Sequence, residues 1–270
     1  MRYKKLEEIL FRAKRDVFNS LGGEFLSKYI SYGYDFAELR EYAEDDIKHI
    51  FWLKSTKPNE LYVKKMYETK QLNVAVVSMV DGKFSVGEKL DTLAYINATL
   101  SYSAQISNVN FCSLIISDKL YEYRENNFKS IEKIADKILN IEPIGKEIKV
   151  DIPKEIFKRC RKSLLFLVGD FLDEIDLSLL VQKYEVKAII IRDISEENPT
   201  PNPNASIIDP ISNTKTNRVL NRRAIRVYRE KLKEHDKKLF KIFDSLGVKY
   251  TKIYSIDEVG LKLRYLTEFY

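Results

Sequence analysis

The sequence contains few of the residues from which metal sites and proton relays are usually built. Of its 270 residues, two are cysteines, Cys112 and Cys160, and two are histidines, His49 and His235. Two cysteines exclude a cysteine-rich zinc site or a disulfide framework. Two histidines leave no convincing Ser-His-Asp or Cys-His set. The composition therefore favours a binding protein over an enzyme and predicts no obligatory cofactor.

Long apolar runs are also missing. The longest strongly apolar stretch, Leu164 to Val168, is far too short to cross a bilayer. The first eight residues contain no apolar segment and no cleavage site of a secretory signal. We therefore expect a cytoplasmic protein without a transmembrane segment. With 44% hydrophobic and 32% charged residues, the composition is that of a folded globular protein.

Positive charge is concentrated in one segment. The chain has 46 Lys and Arg against 40 Asp and Glu, and residues 221–241 alone account for the whole net charge of +6. Apolar residues at steps of three and four predict a helix there with one buried stripe: Ile225, Tyr228, Leu232, His235, Leu239, Ile242 and Leu246. The opposite face contains Arg222, Arg223, Arg226, Arg229, Lys233 and Lys237. We interpret this face as solvated; docking to an acidic partner or to nucleic acid is the alternative.

Strands and helices alternate from residue 71 onwards. Strands are predicted at 73–80, 109–117, 164–170, 186–192 and 248–254, with a hairpin arm at 119–124 and a strand edge at 205–209. Helices are predicted at 4–18, 90–100, 130–139 (capped by Ser130), 177–184, 221–246 and 257–269. Continuous apolar strands between helices predict a doubly wound, mostly parallel α/β sheet with helices on both faces. Residues 1–70 would form an N-terminal helix and an irregular segment packed on this core, and residues 71–270 the α/β domain.

Oxygen ligands are concentrated in the loops that follow the predicted strands, where open parallel sheets bind ligands. The candidates for a metal site are Ser78, Asp81, Ser85 and Asp170. Such hard oxygen groups suit Mg²⁺, Ca²⁺ or Mn²⁺, although Asp residues at these positions also commonly cap helices. An enzyme alternative is a Mg²⁺- or Mn²⁺-dependent phosphoester hydrolase that uses Asp81, Asp170, Asp193 and Glu196.

A polar and aromatic block within residues 24–70 contains a specific pattern. Its members are Gly33, Asp35, Phe36, Leu39, Arg40, Tyr42, Asp45, Asp46, Trp52 and Lys64. This pattern resembles the signature of the bacterial family called domain of unknown function fifty-eight. The later run from Leu164 to Phe171 is similar to the family's strand that ends in Gly-Asp-Phe. We interpret the signature residues mainly as anchors, with Arg40 paired to Asp45 or Asp46; the alternative is an exposed partner-recognition patch that includes Lys48.

The resemblance implies a von Willebrand factor A-like fold and a partner. In that fold a metal-ion-dependent adhesion site uses D-x-S-x-S after the first strand and an Asp after the fourth. In this chain Ser78, Val80 and Gly82 occupy the three positions, so the site is degenerate, and Asp81 with Ser85 would replace them only through a shifted loop. Members of the family are associated with MoxR-type AAA+ ATPases. The leading hypothesis is a non-enzymatic adaptor that binds such an ATPase and assists the assembly or maturation of other proteins; nucleic acid is not the expected partner.

Overall fold

The computed structural model describes residues 2–18, 36–41, 62–66, 73–125 and 127–267. The helices are Arg2–Asp16, Lys89–Ile106, Phe128–Leu139, Ile152–Arg159, Leu180–Lys183, Ile194–Glu197, Arg222–Ser245 and Ile256–Thr267, with a 3₁₀ turn at Gly82–Ser85. The strands are β1 (Phe36–Glu41), β2 (Tyr62–Met66), β3 (Asn73–Met79), β4 (Asn110–Ile116), β5 (Leu120–Tyr123), β6 (Leu164–Gly169), β7 (Glu185–Ile191), β8 (Asn202–Ile208), β9 (Lys215–Leu220) and β10 (Lys249–Ile253).

The main sheet has the doubly wound order. Its six described strands lie in the order β10-β7-β6-β3-β4-β5. Every neighbouring pair is parallel except β4 and β5, which form an antiparallel hairpin at one edge. The chain runs outward from β3 to β5 on one side and then from β6 to β10 on the other, so the strand order reverses between β3 and β6. This reversal is the switch point at which such sheets bind ligands, and it confirms the predicted α/β fold.

Both faces of the sheet are covered by hydrophobic clusters, and successive side chains of each strand belong to opposite faces. Val74 and Val76 of β3 belong to one hydrophobic cluster, and Ala75 and Val77 belong to the other. All four side chains are almost completely buried. The continuous apolar strands of the sequence are therefore explained by burial on two faces rather than one.

The helix Lys89–Ile106 is buried on nearly all sides. Its outer side is covered by the helices Arg2–Asp16 and Phe128–Leu139. Some of its polar residues find partners within the helix, as the Thr99 hydroxyl does by donating to the Tyr95 carbonyl over 2.8 Å, and others reach neighbouring elements, as Asn97 does by donating to Ser78. Within the described residues, no helix is both long and apolar enough to cross a membrane.

Several predicted boundaries are corrected. The helix predicted from Ser130 begins at Phe128, because Asn127 is the cap that accepts the backbone N–H of Ser130 over 2.8 Å. Phe128 is 54% exposed, so apolar periodicity could not locate it. The helix predicted at 177–184 spans only Leu180–Lys183, and the helix Ile152–Arg159, with Ile156 as its one buried residue, was missed.

The strand edge predicted at 205–209 is not part of the main sheet. It lies in β8, which pairs with β9 as a separate antiparallel ribbon. The turn between them is formed by Asp209, whose side chain accepts the backbone N–H groups of Ile211 and Ser212 over 2.9 and 3.3 Å. Such an Asp-centred turn favours a hairpin rather than an edge strand.

The buried stripe predicted for the basic helix is partly wrong. Tyr228 and Ile242 are 44% and 45% exposed, whereas Asp236 and Phe243 are buried. Asp236 faces inward because it accepts a hydrogen bond from Lys252 over 2.6 Å, an interaction that an apolar pattern does not reveal. The basic face is exposed as expected at all six positions: Arg222, Arg223, Arg226, Arg229, Lys233 and Lys237.

Candidate functional site

A groove lies at the switch point, where β3 and β6 end. Its volume is about 310 Å³. The apolar part of its lining is contributed by Met79, Ile148, Val150, Ile152, Pro153, Phe171 and Ile175. Six carboxylates complete the lining: Asp81, Asp151, Asp170, Asp173, Glu174 and Asp176. The position agrees with the rule for open α/β sheets, and the lining combines an apolar surface with strong negative charge.

Asp81 and Lys83 form the central ion pair of the loop after β3. The Asp81 side chain accepts the Lys83 backbone N–H over 2.9 Å and so caps the 3₁₀ turn that follows it. The Lys83 ammonium lies 2.9 Å from Oδ2 of Asp81 and 2.5 Å from Oδ2 of Asp173. It therefore joins the loop after β3 to the loop after β6.

Burial and neighbouring charges change the ionisation of this pair. Burial, together with the charge of Asp170, raises the pKa of Asp81, and the bonds from Lys83 only partly offset this. Burial also acts against protonation of Lys83, but Asp170, Asp173 and Asp81 outweigh it and raise the pKa of its ammonium. Lys83 is accordingly a permanent internal cation of the loop at neutral pH.

Asp170 follows β6 directly and belongs to the lining of the groove. Its Oδ1 accepts the backbone N–H of Leu172 over 3.1 Å, while its buried Oδ2 has no hydrogen-bond partner among the described residues. The next residue, Phe171, has φ +53°, a conformation that is rare and strained for a bulky side chain. Its ring packs edge-on against Phe243 at 5.6 Å, which fixes the turn that presents Asp170.

The predicted metal ligands are only partly brought together. Asp81 and Asp170 share the groove, but Ser78 is fully buried in the sheet and accepts a hydrogen bond from Asn97 over 2.9 Å. Ser85 is exposed at the end of the 3₁₀ turn. Among the described residues, no group of three or more His, Cys, Asp or Glu side chains is placed to hold a metal ion. The Lys83 ammonium already contacts the carboxylates of Asp81 and Asp173, so Asp170 is the one predicted carboxylate ligand that it leaves without a charged contact.

The carboxylates of the proposed hydrolase site have structural partners. Asp193 and Glu196 form a capping box at the helix Ile194–Glu197. Glu196 also pairs with the buried ammonium of Lys89 over 2.5 Å. The Asp193 carboxylate packs so closely on Gly87 that a Cβ there would lie 1.8 Å from Oδ2. These two carboxylates thus hold the loops together, as the helix-cap interpretation predicts.

The signature residues are described only in part. Phe36, Leu39 and Arg40 lie in β1, and Lys64 lies in β2, where it is opposite Leu39 in an antiparallel pair. The block predicted to be irregular therefore contains a two-stranded sheet. The remaining signature residues lie outside the described residues: Gly33, Asp35, Tyr42, Asp45, Asp46 and Trp52. The pairing predicted for Arg40 accordingly stays a prediction.

Sequence reasoning missed Lys83, the residue that organises the groove. The metal-site hypothesis considers only oxygen ligands and therefore leaves out Lys83, although this lysine lies two residues after Asp81 in the same short turn. A basic residue within a loop of carboxylates is the signal that was available. The partner of Lys83 across the groove, Asp173, could not be assigned, because that contact spans 90 residues.

The family of the chain follows from comparison with known proteins. The profile of the family described as "Protein of unknown function DUF58" matches residues 38–238, about three quarters of the sequence. The chain belongs to the DUF58 family. No curated protein matches this DUF58 chain.

Several solved structures are similar to this DUF58 protein over most of its length. The conserved hypothetical protein BatB from Bacteroides thetaiotaomicron is 8% identical with a TM-score of 0.42, covering 72% of this chain and 96% of BatB. An aerotolerance-related membrane protein from Bacteroides fragilis NCTC 9343 is 8% identical with a TM-score of 0.40, over 73% and 98% of the two chains. A von Willebrand factor type A protein from Catenulispora acidiphila is 10% identical with a TM-score of 0.35, over 74% and 42%.

Proposed function

We propose that this DUF58 protein is a non-enzymatic adaptor that binds another protein at the ends of β3 and β6. The groove at the switch point is the observation that carries the proposal. Apolar surface from Val150, Ile152 and Ile175 lies beside a rim of carboxylates, and this combination is typical of specific protein contacts. The rim carboxylates hold backbone N–H groups and Lys83, which supports binding rather than proton transfer.

As the partner we propose a MoxR-type AAA+ ATPase, with the adaptor assisting the assembly or maturation of other proteins. The support for this partner is the signature between residues 33 and 64 and membership of the DUF58 family. The exposed basic face of the helix Arg222–Ser245 offers a second contact surface for the same partner.

Affinity capture from the native host tests the proposal. The parent protein and two charge-reversed variants are immobilised, and retained proteins are identified by mass spectrometry. Glu174→Lys with Asp176→Lys changes the exposed rim of the groove and leaves the Lys83–Asp173 contact in place, whereas Asp244→Lys changes an exposed residue beside the amino end of β10. We expect the parent and the Asp244 variant to retain an AAA+ ATPase and the groove variant to lose it. Equal retention by all three proteins, or no ATPase with any of them, contradicts the proposal.

A further inference from the structure

The groove contains negative charge that its own lining does not balance. Six carboxylates line it, and no lysine or arginine is among the described lining residues. Lys83, which lies beside the groove, contacts only Asp81 and Asp173 among them. Asp151 and Asp176 each accept one backbone N–H and remain exposed to the groove. The surface therefore attracts a positively charged ligand.

The buried side chain of Asp170 offers one specific contact for such a ligand. Asp170 is 6% exposed, and its Oδ2 has no donor among the described residues. A buried charged oxygen without a partner costs free energy that a donor from outside would recover. The left-handed turn at Phe171 holds this oxygen in place at the end of β6.

We propose that the groove binds a basic segment of a protein partner, in which a lysine or arginine side chain donates to Oδ2 of Asp170. The inference rests on the proposed function and names the chemistry of the partner. The aliphatic stem of the incoming side chain and its apolar neighbours lie against Val150, Ile152 and Ile175, and its charged end lies among the rim carboxylates. A divalent ion needs about six oxygen ligands, whereas an ammonium or guanidinium group needs only acceptors along its path.

Peptide binding measures this directly. The probes are two fluorescein-labelled peptides, one with Arg-Ala-Leu repeated four times and one with Glu-Ala-Leu repeated four times. Fluorescence polarisation should show saturable binding of the Arg peptide that weakens with salt, and no binding of the Glu peptide. Asp170→Asn keeps the acceptor for Leu172 but removes the charge, and should weaken the Arg peptide about tenfold or more.

Two further variants distinguish binding at the groove from non-specific attraction of the peptide to negative charge elsewhere on the surface. Glu174→Gln with Asp176→Asn removes two exposed rim charges without touching the buried turn, and should weaken binding about two- to threefold and flatten its salt dependence. Asp244→Asn removes an exposed charge beside the amino end of β10 and should change nothing. Equal binding of both peptides, or unchanged binding by Asp170→Asn, overturns the inference.

Other occupants give different results. Calorimetric binding of Mg²⁺ or Ca²⁺ that Asp170→Asn abolishes, together with displacement of the Arg peptide, would make the groove a metal site and overturn the inference. Self-association in sedimentation that the rim variant abolishes would identify a second copy as the occupant and would likewise overturn it. The proposed function can fail on its own. If the Arg peptide binds but no ATPase is captured, the proposal of an ATPase partner is contradicted, while the proposal that the groove binds basic side chains stands. If the parent and the Asp170→Asn variant both capture the ATPase and neither binds the Arg peptide, the adaptor proposal stands and the inference about a basic segment is overturned.

Discussion

The Nζ of Lys83 lies 2.9 Å from Oδ2 of Asp81, two residues earlier in the same loop. The second contact of this ammonium, to Asp173, joins the loops after the two central strands. A lysine charge thus takes the position in the switch-point loops at which a bound cation would meet the carboxylates. We therefore expect the stability of the protein and its response to added cations to depend on this one side chain.

Lys83→Ala should destabilise the fold by roughly 1–3 kcal/mol, because the buried Asp81 carboxylate loses its ammonium partner and its repulsion from Asp170 is no longer offset. Millimolar Ca²⁺ should restore part of this loss in the variant and have little effect on the parent. Urea unfolding with Ca²⁺ and with EDTA measures both effects. Lys83→Arg, which keeps the charge, is the control. A Lys83→Ala protein with the same stability in Ca²⁺ and in EDTA would contradict this expectation.

Asp236→Asn should destabilise the protein by about 3–5 kcal/mol at neutral pH, because the 1% exposed Arg192 loses its buried counter-ion and Lys252 keeps only Glu197. Burial opposes ionisation of Asp236, but Lys252 and Arg192 outweigh it and lower its pKa. The stability from this carboxylate is therefore present above the ordinary aspartate pKa and is lost as pH falls through the lower folded-state pKa.

The difference between parent and Asp236→Asn should consequently shrink in acid, below about pH 4. Denaturant unfolding at pH 7 and in the acid range measures it. Asp244→Asn, an exposed change on the same helix, should stay within about 0.5 kcal/mol of the parent throughout. A difference for Asp236→Asn that is independent of pH would show that packing, rather than charge, sets its cost.

Ser78→Ala should cost about 1–3 kcal/mol, because the buried amide of Asn97 loses the hydroxyl to which it donates. Ser117→Ala is the matched control, since its buried hydroxyl has no partner among the described residues. In thermal and urea unfolding, Ser78→Ala should therefore be clearly less stable than Ser117→Ala. Similar stabilities would mean that the Ser78–Asn97 hydrogen bond contributes little.

Gly87→Ala should destabilise by more than about 1 kcal/mol, because φ is +61° and the new Cβ would collide with the Asp193 carboxylate. Gly260→Ala, inside the helix Ile256–Thr267 with open space around its Cα, should instead gain about 0.5–1 kcal/mol. The sign of the two changes in urea unfolding is the measurement. A stable Gly87→Ala protein would show that the loop after the 3₁₀ turn moves away from Asp193 at little cost.

Arg226→Glu with Lys233→Glu should leave stability within about 0.5 kcal/mol of the parent, because both side chains are exposed. Neither the parent nor the variant should bind a labelled DNA duplex measurably at physiological salt. Filter binding over a range of salt concentrations tests this. Affinity that falls steeply with salt, and that the double variant abolishes, would instead identify the basic face as a nucleic-acid surface.

The α/β architecture could be read from the sequence, because fully buried strands need unbroken apolar runs and helices need a 3.6-residue period. Such runs identified β3, β6 and β7, and the charge count located the exposed basic face. Where a polar contact overrides periodicity, prediction failed: Lys252 turns Asp236 inward, and Asn127 rather than Ser130 caps its helix.

Oxygen-bearing side chains after the central strands, and the scarcity of His and Cys, can be read directly from the sequence. The contacts that those side chains make depend on the folded arrangement of distant segments. Lys83 meets Asp173 across 90 residues, Ser78 points from the sheet towards Asn97 of the covering helix, and one oxygen of Asp170 has no partner among the described residues. Local pattern places residues on strands and loops, but the pairing of charges from distant segments depends on strand order and on how far each side chain is buried.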